Sequence, residues 1–126
     1  MTELAAIFAC ILLIGLTIFQ LLLIIGQPLG RYAWGGNHEV LPLKYRISSV
    51  VSIILYVVFA AIISERAGLL SLIGHESIAS AGIWVLTGYF FIGILLNSAS
   101  RSKAEKRIMV PIAALLFFLC GIVALG

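Results

Sequence analysis

The chain has 126 residues, of which 63% are hydrophobic and only 10% charged, with a formal net charge of +3. Soluble domains average about 45–50% apolar and about 25% charged residues, and one this small could not bury the apolar excess. A mean hydropathy of +1.22 therefore points to an integral membrane protein. It excludes a soluble enzyme, a disordered tail and a nucleic-acid partner.

A helix that crosses a bilayer needs about 20 mostly apolar residues. The first candidate covers residues 4–26, carries no charge, and has Thr17 and Gln20 as its clearly polar members. A cleaved signal peptide would need a basic leader and a shorter apolar run. Here Glu3 precedes the run and neither Lys nor Arg does, so a retained helix is expected.

Residues 26–46 read GQPLGRYAWGGNHEVLPLKYR, the least generic stretch of the chain. Pro28 suits a helix ending at Gly26, because proline cannot continue the hydrogen-bond ladder. Tyr32, Trp34 and Tyr45 have rings suited to the headgroup level. Gly35, Gly36 and Asn37 tolerate positive φ and mark a tight turn. The loop is expected to fold back on the membrane surface. As a binding surface, Arg31 and Arg46 offer charge to a phosphate or carboxylate, Trp34 an apolar face, and His38 a titratable ring. The plainer alternative is that these residues only anchor a connecting loop.

The second span, 47–63, is followed by a loop at 64–77 whose apolar stretch, 69–73, suits the outer interface. The third span, 78–96, leads into the basic loop 97–107, with Asn97 and Arg101 as further binding candidates. The fourth span covers 108–125. These long unbroken apolar runs lack the alternation of barrel strands, so the expected fold is an all-α bundle of four transmembrane helices in a single domain, 1–126. Seven of the eight basic residues fall in the first and third loops, which the positive-inside rule puts in the cytoplasm. Both termini are then expected to be extracytoplasmic.

Inside the spans, helical rise brings Gln20 level with Ser52 and Tyr56 level with Thr87, making one polar layer geometrically feasible. Such a layer either lines a cavity or joins helices through hydroxyls and small residues. None of the four spans holds an ionisable carboxylate, Lys, Arg or His, which weighs against ion-coupled transport. Cys10 and Cys120 lack a C-x-x-C context and read as small buried hydrophobes. No catalytic constellation, metal-ligand spacing or cofactor motif emerges; His38 and Glu39 alone do not make a metal site.

The run Gly26-x-Pro28-x-Gly30-x-x-Ala33-Trp34-Gly35-Gly36, with His38, Leu41-Pro42, Arg46 and Ser49, resembles an uncharacterised group of small four-span bacterial integral membrane proteins. Asn97, Ser100, Arg101 and Ser102 match the Asn-x-x-Ser-Arg-Ser pattern that follows the third span in that group. The resemblance implies a bacterial plasma (inner) membrane and a single domain, and it brings no activity. The leading expectation is a non-enzymatic membrane protein, self-associating or an accessory subunit, whose basic cytoplasmic face meets anionic lipid or a membrane-protein partner. An oligomeric small-solute transporter or channel is the alternative. A lipid-phosphate enzyme using His38 and Glu39 with Arg31, Arg46 or Arg101 comes third.

Overall fold

The computed structural model describes residues 1–72 and 74–126, so the last position of the apolar stretch 69–73 lies outside the described residues. Four helices make up the fold: α1 (Thr2–Ile24), α2 (Leu43–Arg66), α3 (Glu76–Ser98) and α4 (Lys103–Leu125). Each is long and apolar enough to cross a membrane. At 1.5 Å per residue they run about 35 Å, slightly more than a hydrocarbon core of about 30 Å. All four extend beyond the apolar spans at a charged end. α2 takes in Lys44, Tyr45 and Arg46, and α4 starts at Lys103, so the third loop shrinks to residues 99–102.

Helix ends follow local chemistry. α1 closes in a Schellman motif: the Gly26 N–H donates to Leu23 O (3.2 Å) and the Gln27 N–H to Leu22 O (3.0 Å). Gly26 takes φ +95°, which a side chain would resist. α4 opens on Ser102, whose side chain accepts the Glu105 N–H at 3.2 Å.

The helices pack in chain order around a ring, with α4 closing against α1. Contacts at one end fix the up-and-down topology. Cys10 Sγ lies 3.5 Å from Ser64 Oγ, and Arg66 donates to Ala124 O at 3.3 Å. The start of α1, the end of α2 and the end of α4 therefore share one end with residues 67–72 and 74–75. The 26–42 loop (loop 1 below) and the 99–102 loop (loop 3 below) share the other. Ala5, Ala6 and Ala9 let α1 approach its neighbours closely, and with Ile63, Ile83, Leu116, Cys120 and Val123 they form a continuous dry core. Both cysteines are free.

Only 17–28% of each helix's most apolar window is buried. Ile7, Ile11, Ile14, Ile18, Val57, Val85 and Phe118, among others, point outward. Apolar cover on this scale suits hydrocarbon and would be untenable in water.

Candidate functional site

The loop-1 end is built differently from the dry end. Beyond Gly26 the chain makes two single-turn 3-10 helices, Gly30–Tyr32 and Trp34–Gly36. The Gly30 N–H donates to Glu39 O at 2.7 Å, closing the loop on itself. Leu23, Ala33 and Leu41 are buried together, with Phe19, Leu29 and Tyr45 packed around them. Arg46 Nε donates to Leu41 O at 2.8 Å, tying the loop to α2. Loop 1 thus has a small core of its own and lies folded across the bundle.

Loop 3 clamps it there. The Ser102 hydroxyl donates to the Arg31 carbonyl, while its oxygen accepts the Glu105 N–H. Gly36 sits directly over Ser102: a Cβ on Gly36 would fall 2.8 Å from Ser102 Oγ and 3.0 Å from Arg31 O. Its φ of +74° independently disfavours a side chain. Trp34 also has positive φ, +51°, a conformation that costs a non-glycine residue about 1 kcal/mol or more and concentrates at functional sites. Its ring stacks on Tyr45, with centroids 5.7 Å apart.

Under this lid lies a cavity of about 430 Å³. All four helices contribute to it: Gln20 from α1, Ser52 and Tyr56 from α2, Tyr89 and Asn97 from α3, and Glu105 from α4. Ala33, Trp34 and Gly35 supply the roof. Edge-to-face contacts among Phe59, Tyr89 and Phe90 hold the α2–α3 wall, with Tyr89 and Phe90 facing the cavity. Tyr56 places its hydroxyl beside the Gln20 amide.

Two groups in this cavity are out of balance. Gln20 is 7% exposed, and its Oε1 has no hydrogen-bond partner. Glu105 is also 7% exposed, and no partner for its carboxylate occurs among the described residues. The reason lies in the start of α4. Ser102-x-x-Glu105 is a capping-box sequence, in which the glutamate normally reaches back to the N-cap N–H. Here the Ser102 N–H donates to Ser100 Oγ (3.2 Å) instead, which leaves the Glu105 carboxylate without its usual partner and facing the cavity.

The candidates from sequence divide cleanly. Trp34, Asn97, Gln20, Ser52 and Tyr56 meet at the cavity. Thr87 is buried elsewhere and donates to Ile83 O at 2.8 Å within its own helix. Arg31 lies with its guanidinium 4.9 Å from the Tyr32 ring centre, and His38 packs 5.8 Å from the Tyr45 ring. Arg46 is held by Leu41, and Arg101 is exposed. None of these four lines the cavity. Glu105 and Tyr89 escaped notice. The capping-box spacing from Ser102 was the available signal for Glu105, while Tyr89 has no signature apart from aromaticity.

Among the described residues, no three His, Cys, Asp or Glu side chains gather as metal ligands. The cavity's polar atoms are suited to hold a molecule by hydrogen bonds and charge, with apolar walls around the rest of it. No family model, curated protein or solved structure matches the chain.

Proposed function

We propose that the protein is a multi-pass membrane protein that holds a small amphipathic solute in this cavity, as the binding unit of a carrier or of a membrane complex. The observation that carries the reading is the buried Gln20 oxygen, which bonds nothing and faces a cavity that the Glu105 side chain also lines. Leaving such a buried acceptor unsatisfied costs about 1–3 kcal/mol, so the space calls for an occupant that bonds it. Ser48, Ser52 and Thr87 donate within their own helices and join no neighbour among the described residues, whereas Tyr56 meets Gln20 across α2 and α1 and leaves the Gln20 oxygen unbonded.

The second reading concerns the surface around the site. Arg31, Lys44, Arg46, Arg101, Lys103, Lys106 and Arg107 lie at the cavity end, and Arg66 alone lies at the other. This bias supports a cytoplasmic cavity end with both termini outside, in a bacterial plasma membrane whose anionic headgroups the basic rim contacts. Such attraction amounts to about 1 kcal/mol per basic residue near the surface. Self-association or a membrane-protein partner fits the same rim. Single cysteines at Ser100 and at Thr2, in a chain whose own cysteines are replaced, test the orientation in intact cells. Thr2→Cys is expected to react with an impermeant maleimide and Ser100→Cys to be protected; the reverse pattern would invert the topology.

The binding reading is tested by thermal unfolding of reconstituted protein against a panel of amphipathic solutes. A ligand of the folded state stabilises it by mass action. A saturable stabilisation that disappears when Ser52→Trp fills the cavity is expected. A panel without any such stabilisation would remove the reading.

A further inference from the structure

We propose that the cavity selects an amphipathic organic amine, with the Glu105 carboxylate as its counter-charge and the Trp34 ring as its lid. The inference rests on the binding reading above and specifies the ligand's chemistry.

Charge is the first argument. Among the described residues facing the cavity, Glu105 is the one Asp, Glu, Lys or Arg. It stands in the first turn of α4. Lys103, Lys106 and Arg107 share that turn and the next but are exposed on other faces, and none pairs with Glu105 among the described residues. The chain therefore places a carboxylate at the cavity without pairing it to a cation among the described residues.

Hydrogen-bond polarity is the second argument. Both unpartnered groups, Gln20 Oε1 and the Glu105 carboxylate, are acceptors. An anionic ligand would repel one of them, and a ligand with acceptors only would satisfy neither. A protonated amine carries several N–H donors and a positive charge, which suits both acceptors. Trp34, Tyr56 and Tyr89 line the same cavity, and aromatic rings attract a cation held against their faces.

The third argument is access. The basic rim disfavours approach of a cation from water. A second depression, of about 440 Å³, lies along the α1–α4 seam, and its walls are almost wholly apolar. It shares Leu16, Phe19, Tyr32, Met109 and Ile112 with the polar cavity. An apolar body can lie in the seam while the amine reaches inward, so the ligand enters from the lipid side.

The test uses the full chain in zwitterionic nanodiscs with Trp84→Phe, which leaves Trp34 as the sole indole. Phenylbutylamine, phenylbutanol and phenylbutyrate share one apolar body and differ in head group; saturable changes in Trp34 fluorescence report their binding. A charge-assisted hydrogen bond corresponds to at least about a tenfold preference for the amine over the alcohol. The carboxylate is expected to bind weakest. Glu105→Gln should bring the amine down to the level of the alcohol and leave the alcohol unchanged, which also shows that the variant folds. Lys106→Gln, at a neighbouring exposed charge, should preserve the preference. Equal binding of amine and alcohol by the parent, or a preference that survives Glu105→Gln, overturns the amine inference and leaves the cavity reading standing. Absence of a saturable response to all three probes overturns both.

Discussion

The two ends of this bundle have opposite interiors. Around the termini, Ala6, Ala9, Ile63, Cys120 and Val123 bury themselves completely against one another. Around loops 1 and 3, the helices line a mostly apolar cavity with a few polar groups, and a loop with its own small core lies across it. The difference is one of side-chain size and bonding. Alanines line the helix contacts at the first end, while Gln20, Tyr56, Tyr89 and Glu105 line the cavity at the second. The same four helices thus carry close packing at one end and an open space at the other.

The sharpest way to break this contrast is to weaken each end by a similar truncation. Ile63→Ala, at a position without any exposure, is expected to cost about 2–3 kcal/mol. That is the lower part of the range for buried Ile or Leu to Ala, because separated helices still face hydrocarbon. Leu16→Ala, on the cavity wall, should cost less than about half as much, since its neighbours already leave space there. Reversible unfolding in mixed micelles measures both. Equal losses would mean that the two ends are packed alike.

A second variant addresses the lid. Gly36→Ala must hold a side chain at φ +74° while crowding Ser102 and Arg31. The left-handed conformation alone costs about 1–2 kcal/mol. The loss should be local: hydrogen exchange is expected to quicken across residues 27–41 and to stay unchanged around Ala6 and Val123. A uniform increase would mean that the lid and the dry core unfold as one unit.

Much of this fold was legible in the sequence because its signals are long. Four apolar runs of helical length, bounded by charge, each correspond to one helix. The helix ends were less legible, since Lys44, Arg46 and Glu105 are polar yet continue or start helices through backbone geometry that hydropathy does not record. The polar layer was half legible. Spacing along helix faces brought Gln20, Ser52 and Tyr56 together, because all three lie in regular helix. Thr87 lies away from the cavity, because depth along a helix says nothing about which neighbour the residue's face meets. Trp34 and Asn97 were singled out for their chemistry, but their convergence depends on loop 1 folding back, a tertiary event held by Gly36, Ser102 and the Leu23–Ala33–Leu41 cluster. Glu105 was hidden by its neighbours: in a run of Lys, Glu and Arg, a single buried carboxylate looks like one more solvated charge.

The smallest expected effects separate cavity from packing most directly. Gln20→Leu deletes a buried acceptor that bonds nothing, so it should be neutral or stabilise by up to about 1 kcal/mol while weakening amine binding. Thr87→Val deletes a hydroxyl that bonds only Ile83 of its own helix, and its effect should stay within about 0.5 kcal/mol with binding unchanged. Both residues are equally buried and both are polar, yet only Gln20 faces the cavity. If the cavity were merely imperfect packing, Gln20→Leu would stabilise the bundle and leave the response to phenylbutylamine untouched. A gain in stability coupled to a loss of affinity is the signature of a polar group kept for a ligand, because the same unmade hydrogen bond that weakens the empty bundle is what the ligand completes.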